Sequence, residues 1–232
     1  MNYYDYIKDK RVIFVGGCHN LIGSYLNDFI DDYDIVVRSN GSIFLLDDDK
    51  YKIDYGTKCD VLYTNNQFYR EMHPFNINDF KNKGVKYLRM KTCSKDYLKK
   101  LNNDINSNIL TDTMRKVNKK TYGPVMGAYI FTDILDCKPE ELFVTGIDFF
   151  ISKYKNFKCD RYEEYFPGYL PDKIRKQGNE INIDKKEDGH NYITNTKYIQ
   201  ELYETHENML MPSFIEDIMY EITSGKLRQK DD

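Results

Sequence analysis

Residues 12–15 (VIFV) form an uninterrupted apolar run that stops at Gly16-Gly17. That pattern predicts a buried parallel strand running into a tight turn. Further short apolar runs lie at residues 35–37, 61–63, 85–90 and 142–145, each beside a turn-forming or polar residue. Between them the apolar period changes. Leu21, Ile22, Tyr25, Leu26, Phe29 and Ile30 fall on one helical stripe, with Asn20 placed to cap it. Residues 95–101 and 110–117 predict surface helices, the second starting near Thr111 or Asp112. Residues 127–137 predict a well-patterned helix, and 198–209 and 214–222 two closing ones.

Strands alternating with helices predict an α/β fold: a Rossmann-like parallel sheet flanked by helices on both faces. Right-handed crossovers bring the strand C-terminal ends to one rim, where open α/β sheets bind ligands. The turns at Gly16, Asn40, Asn65 and Gly146 would share that rim. Residues 151–189 break the pattern. They are polar, hold Pro167, Gly168, Pro171 and Gly178, and lack a period, which reads as a small lid within a single domain spanning 1–232.

Composition narrows the function classes. The net charge of −3 over 232 residues imposes no basic face, so nucleic acid is not an expected partner. The five cysteines, Cys18, Cys59, Cys93, Cys137 and Cys159, include no CxxC pair, which argues against zinc and for reduced thiols. The N-terminus MNYYDYIKDKR lacks the apolar core of a signal peptide, and no apolar run reaches the roughly 20 residues of a membrane span. A cytoplasmic setting follows as an expectation.

Several chemical motifs also admit blander readings. Gly16, Gly17 and Gly23 miss the GxGxxG spacing, and Arg38 stands where a nicotinamide site has an acid. No GK[ST] follows, so a Walker loop fails too, although the turn still offers backbone N–H groups to a phosphate. Cys18-His19 reads as a small buried thiol and a solvent-facing imidazole rather than a nucleophile, since Ser24 stands where a phosphatase loop would need arginine. Asp47-Asp48-Asp49 could serve as a metal-binding DxD, but three consecutive acids read better as a solvated loop. His73 and His206 read as surface residues. His190, between the lid and a helix, is placed to present a general base, while its position alone favours an exposed loop histidine.

Taken in order, the segments resemble the sialyltransferases of glycosyltransferase families 29 and 42. VIFVGGCHNLIGSYLNDFIDDYDIVVRSN is similar to the large sialyl motif at Gly16, Asn20, Leu21, Gly23, Ser24, Ile30, Asp31, Asp34, Val36, Arg38 and Asn40. GTKCDVLYTN resembles the segment that ends in a donor-binding Asn, here Asn65, with Glu71 a few residues on. GPVMGAYIFTDILDCKPEELFVTGIDFF resembles the small motif at Gly127, Cys137, Gly146, Ile147, Asp148 and Phe149. GHNYITNTKYIQEL resembles the motif that carries the family's base, here His190. The match spans roughly residues 11 to 204.

The resemblance implies a sialyltransferase-type variant of the GT-A fold and a CMP-sugar donor lying across the rim. It implies a donor-nucleotide site of Gly16, Gly17, Cys18, Asn40, Asn65, Met126, Gly127, Gly146, Asp148 and Phe150, with Glu71 and Tyr154 near sugar or phosphate. His190 would take the proton from a glycan hydroxyl, inverting the anomeric centre in one displacement. Neither metal nor other cofactor is implied, because a monophosphate leaving group can be stabilised by hydrogen-bond donors. Three family donors are replaced: an Asn by Gly17, a Ser or Thr by Val125-Met126, and a Tyr by Phe150, for which Tyr154 could substitute. These losses leave two alternatives, an inactive nucleotide- or sugar-binding domain and a CMP-sugar hydrolase.

Overall fold

The structure, a computed structural model, describes residues 1–65, 77–92, 98–99, 101, 105–147, 149 and 192–224. The apolar runs become strands β1 (Arg11–Val15), β2 (Ile35–Ser39), β3 (Val61–Thr64), β4 (Tyr87–Met90) and β6 (Glu141–Thr145). Two more strands complete the described sheet. These are β5 (Asn106–Ile109) and β7 (Met209–Leu210), and the spatial order is β5-β4-β3-β2-β1-β6-β7 with every pairing parallel. The α/β fold expected from the alternation is therefore the one observed.

The helices in chain order are α1 (Tyr3–Ile7), α2 (Asn27–Asp31), α3 (Asp49–Tyr55), α4 (Ile77–Asn82), α5 (Thr111–Lys120), α6 (Met126–Asp136), α7 (Tyr192–Thr205) and α8 (Ser213–Ser224). Strand pleating divides the apolar residues between two faces. Val12 and Phe14 join Val37, Tyr63 and Val144 in a core with α1, α6, α7 and α8. Ile13, Val15 and Val36 point the other way, against Leu21, Ile30, Tyr51 and Tyr55. Leu62, Leu88 and Met90 extend that second layer with Ile43 and Phe80. Both faces are covered, as a parallel sheet requires.

Several expectations need correction. The stripe from Leu21 to Ile30 is not one helix. It is a 3₁₀ turn (His19–Leu21), an irregular stretch and then α2. Gly23 and Tyr25 both have positive φ, 77° and 55°, which no α-helix accommodates. Ile22 and Tyr25 are consequently exposed, while Leu21 and Ile30 reach the core. Asn20 caps nothing in that stretch; its amide reaches across to the Ile147 carbonyl. The helix expected at 198–209 begins at Tyr192 and stops at Thr205, freeing Met209 to pair with Leu142 as an edge strand. His206 lies partly exposed just past the end of α7, with Nδ1 2.9 Å from the Leu202 carbonyl. Asp47-Asp48-Asp49 is solvated as expected, but it forms the junction between the 3₁₀ segment and α3 rather than a loop. Asp48 caps α3 through the Lys50 N–H at 3.0 Å, and the three acids pair with Lys83, Lys50 and Lys52.

The expected lid at 151–189 and His73 lie outside the described residues. No helix among the described residues is long and apolar enough to cross a membrane.

Candidate functional site

Strands β1 and β6 run in register until Val15 meets Thr145, and then both turn at glycine. Gly16 and Gly146 lie backbone to backbone. A Cβ on Gly16 would overlap the Gly146 carbonyl, and one on Gly146 would lie 2.6 Å from the Gly16 oxygen. Gly146 also has φ +68°, which favours glycine. The Gly16 N–H donates to the Thr145 carbonyl (3.0 Å) and the Cys18 N–H to the Gly146 carbonyl (2.9 Å). Asn20 Nδ2 closes the arrangement on the Ile147 carbonyl at 2.7 Å. The two glycine turns are thereby locked to one another.

Gly17 packs beside Ser42 and Leu45 of the 3₁₀ segment Asn40–Asp47. That segment starts at the tip of β2, where Ser39 and Ser42 form a capping box. Asn40 takes φ +46°, a conformation that asparagine tolerates better than most residues. Its Oδ1 accepts from the Asn65 N–H at 3.3 Å. The tips of β6, β1, β2 and β3 thus bring together Gly146, Gly16, Gly17, Cys18, Asn40 and Asn65. Met126 and Gly127 occupy the first turn of α6, where a Cβ on Gly127 would fall within ordinary contact distance of Phe131 and Ile199. Asp148, Phe150, Glu71, Tyr154 and His190 lie outside the described residues.

Polar residues that the sequence reading left without a role hold these tips in place. Arg38 is fully buried, donating to the Lys58 carbonyl from Nε (2.8 Å) and to the Tyr55 carbonyl from Nη2 (2.5 Å). Burial lowers its pKa below the ordinary arginine value. Tyr55 in turn donates its hydroxyl to the Cys18 carbonyl at 2.7 Å. Cys18 is half-buried with both its backbone N–H and C=O engaged, a placement that suits a rim-shaping residue. Asp31 accepts from the Thr57 N–H, and Asp34 accepts from the Arg11 N–H at 2.9 Å. Three polar residues of the large motif therefore serve as struts. On the opposite side, Asn195 of α7 accepts from the Val125 N–H (2.9 Å) and donates to the Gly123 carbonyl (3.3 Å), fixing the entry to α6. Only the long-range contact makes Asn195 visible; nothing local in the sequence marks it.

The fold as a whole finds counterparts among solved structures. The chain matches CstII from Campylobacter jejuni in complex with the substrate analogue CMP-3FNeuAc at TM-score 0.51 and 16% identity, over 87% of this chain and 78% of that one. It matches monomeric CstII at TM-score 0.54 and 16% identity, covering 87% and 80%. The monofunctional alpha-2,3-sialyltransferase Cst-I of the same organism matches at TM-score 0.54 and 13% identity, covering 87% and 75%. The chain has the fold of these sialyltransferases. No protein-family model and no curated protein sequence matches it. The described rim residues lie at the C-terminal ends of the parallel strands, the edge where open α/β sheets carry their ligands.

Proposed function

We propose that the protein is an inverting glycosyltransferase that moves a sialic-acid-type sugar from a CMP-sugar donor to a glycan hydroxyl. The observation that carries this reading is the rim itself. Asn40 and Asn65 meet beside the Gly16–Gly146 contact, in a fold shared with a sialyltransferase described in complex with cytidine-5'-monophosphate. In this reading the nucleotide lies along the tips of β6, β1, β2 and β3. The glycine turns let it approach the backbone, the two asparagine amides serve ribose or phosphate, and Asp148 accepts from ribose hydroxyls. His190 takes the acceptor proton as the hydroxyl attacks the anomeric carbon, and CMP leaves from the opposite side. Charge on the leaving phosphate is met by hydrogen-bond donors and needs no metal.

The test is to incubate the protein with CMP-sialic acid, with and without a lactose-type acceptor, and follow CMP release. Acceptor-dependent release that disappears in His190→Ala is the expected result. Equal release without acceptor identifies a hydrolase, and CMP binding without release identifies a binding domain. Release that needs a divalent metal and survives His190→Ala overturns the mechanism.

A further inference from the structure

Three half-buried lysines occur among the described residues, and two have evident partners. Lys52 pairs with Asp49 at 2.6 Å, and Lys83 pairs with Asp47. Lys91 has no carboxylate partner among the described residues. Its ammonium lies 5.1 Å from the centre of the Tyr129 ring, and that ring is held by a 2.8 Å hydrogen bond from its hydroxyl to Asn118.

Lys91 follows the last residue of β4, and its N–H donates to the Thr64 carbonyl at 2.9 Å. Thr64 pairs with Met90, so the next positions, Asn65 and Lys91, are neighbours at the rim. The two-residue pleat sets their direction. Tyr63 and Arg89 point to the α6 face, where both bond Asp133, so Asn65 and Lys91 point the same way one step nearer the rim. The first turn of α6, with Met126 and Gly127, lies on that face. A half-buried cation with no carboxylate partner among the described residues, beside a residue of the candidate donor site, is poised for an anion brought by the ligand.

We propose that Lys91 is a donor-binding residue that receives an anionic oxygen of the CMP-sugar, from its phosphate or from a carboxylate on the sugar. This rests on the glycosyltransferase reading above. Lys91, just past the end of β4, then supplies a donor to the ligand where Val125-Met126 offers no hydroxyl. Burial lowers the Lys91 pKa from its ordinary value.

Isothermal titration calorimetry with cytidine, CMP and CMP-3FNeuAc tests the proposal on the wild type, Lys91→Met, Lys91→Gln and Lys91→Arg, each first checked for folding by circular dichroism. A phosphate contact predicts CMP binding weakened about tenfold in Lys91→Met and Lys91→Gln, with cytidine unchanged and Lys91→Arg near wild type. A carboxylate contact predicts unchanged CMP binding and CMP-3FNeuAc weakened about tenfold. Variants that bind all three ligands as the wild type does overturn the role of Lys91 and leave the functional reading standing. Wild-type protein that binds neither CMP nor CMP-3FNeuAc overturns both.

Discussion

Replacing Asp133 with alanine tests whether α6 is anchored to the sheet by one buried carboxylate. Asp133 lies in α6 with its side chain 7% exposed, opposite Arg89 of β4 at 12%. Its Oδ2 accepts from Arg89 Nε at 3.0 Å and from the Tyr63 hydroxyl at 2.7 Å. Its Oδ1 accepts from Arg89 Nη2 at 2.8 Å and from the Thr113 hydroxyl at 2.7 Å. Tyr3 of α1 joins through its hydroxyl contact with Tyr63, and its ring centre lies 4.2 Å from the Arg89 guanidinium carbon. Burial, reinforced by the Asp133 charge, pushes the Tyr3 and Tyr63 hydroxyls well above the ordinary tyrosine range. Both phenols therefore stay protonated and able to donate. Removing the carboxylate leaves a buried guanidinium whose remaining neighbour among the described contacts is the Tyr3 ring, and takes the acceptor from the Tyr63 and Thr113 hydroxyls. Breaking a buried pair on one side costs about 3–5 kcal/mol, a large share of a total stability of about 5–15 kcal/mol. Urea unfolding followed by circular dichroism should show that loss for Asp133→Ala. The double variant Arg89→Met/Asp133→Leu should be more stable than the summed singles imply, by about 1 kcal/mol or more. A loss below about 1 kcal/mol for Asp133→Ala, or additive single losses, refutes the anchor.

Other expectations follow from single contacts. Gly16→Ala drives a Cβ into the Gly146 backbone, so it should destabilise by about 1–3 kcal/mol and abolish measurable CMP binding, read by thermal melting and calorimetry. Tyr55→Phe deletes the hydroxyl bond to the Cys18 carbonyl; it should cost about 1 kcal/mol in urea unfolding and weaken CMP binding while leaving the secondary structure intact. Asn195→Ala leaves the buried Val125 N–H without its acceptor, at a cost of about 1–3 kcal/mol by the same measurement. Lys91→Met should melt higher than the wild type without ligand at pH 7, because it removes a partly desolvated cation. The folded pKa of Lys91 lies below the unfolded one, so wild-type stability rises as pH climbs from the lowered value to the ordinary lysine range, and the advantage of the variant should shrink over that interval.

The five apolar runs, their period and the glycine stops contained enough information for a parallel α/β sheet, because a strand covered on both faces must be apolar throughout. Gly16, Asn40, Asn65 and Gly146 could be assigned to one rim for a related reason: in a parallel sheet all strand C-termini share an edge. The sequence could not reveal β5, whose Asn106–Ile109 is polar and gains its place by pairing with β4. Nor could it reveal β7, two residues long, or the interruption at Gly23 and Tyr25 inside a helical stripe. Dihedral choice at such points is settled by what the chain must reach, here Asn20 to Ile147 and Tyr25 N–H to Asp54. The roles of Arg38, Tyr55, Asp133 and Asn195 came only from folding. Each is a polar side chain whose partner lies 17 to 70 residues away, and no local spacing encodes a bond of that length. Pattern along the chain decides which faces are dry, whereas the closing of distant hydrogen bonds in those dry places decides which polar residues the fold can keep there.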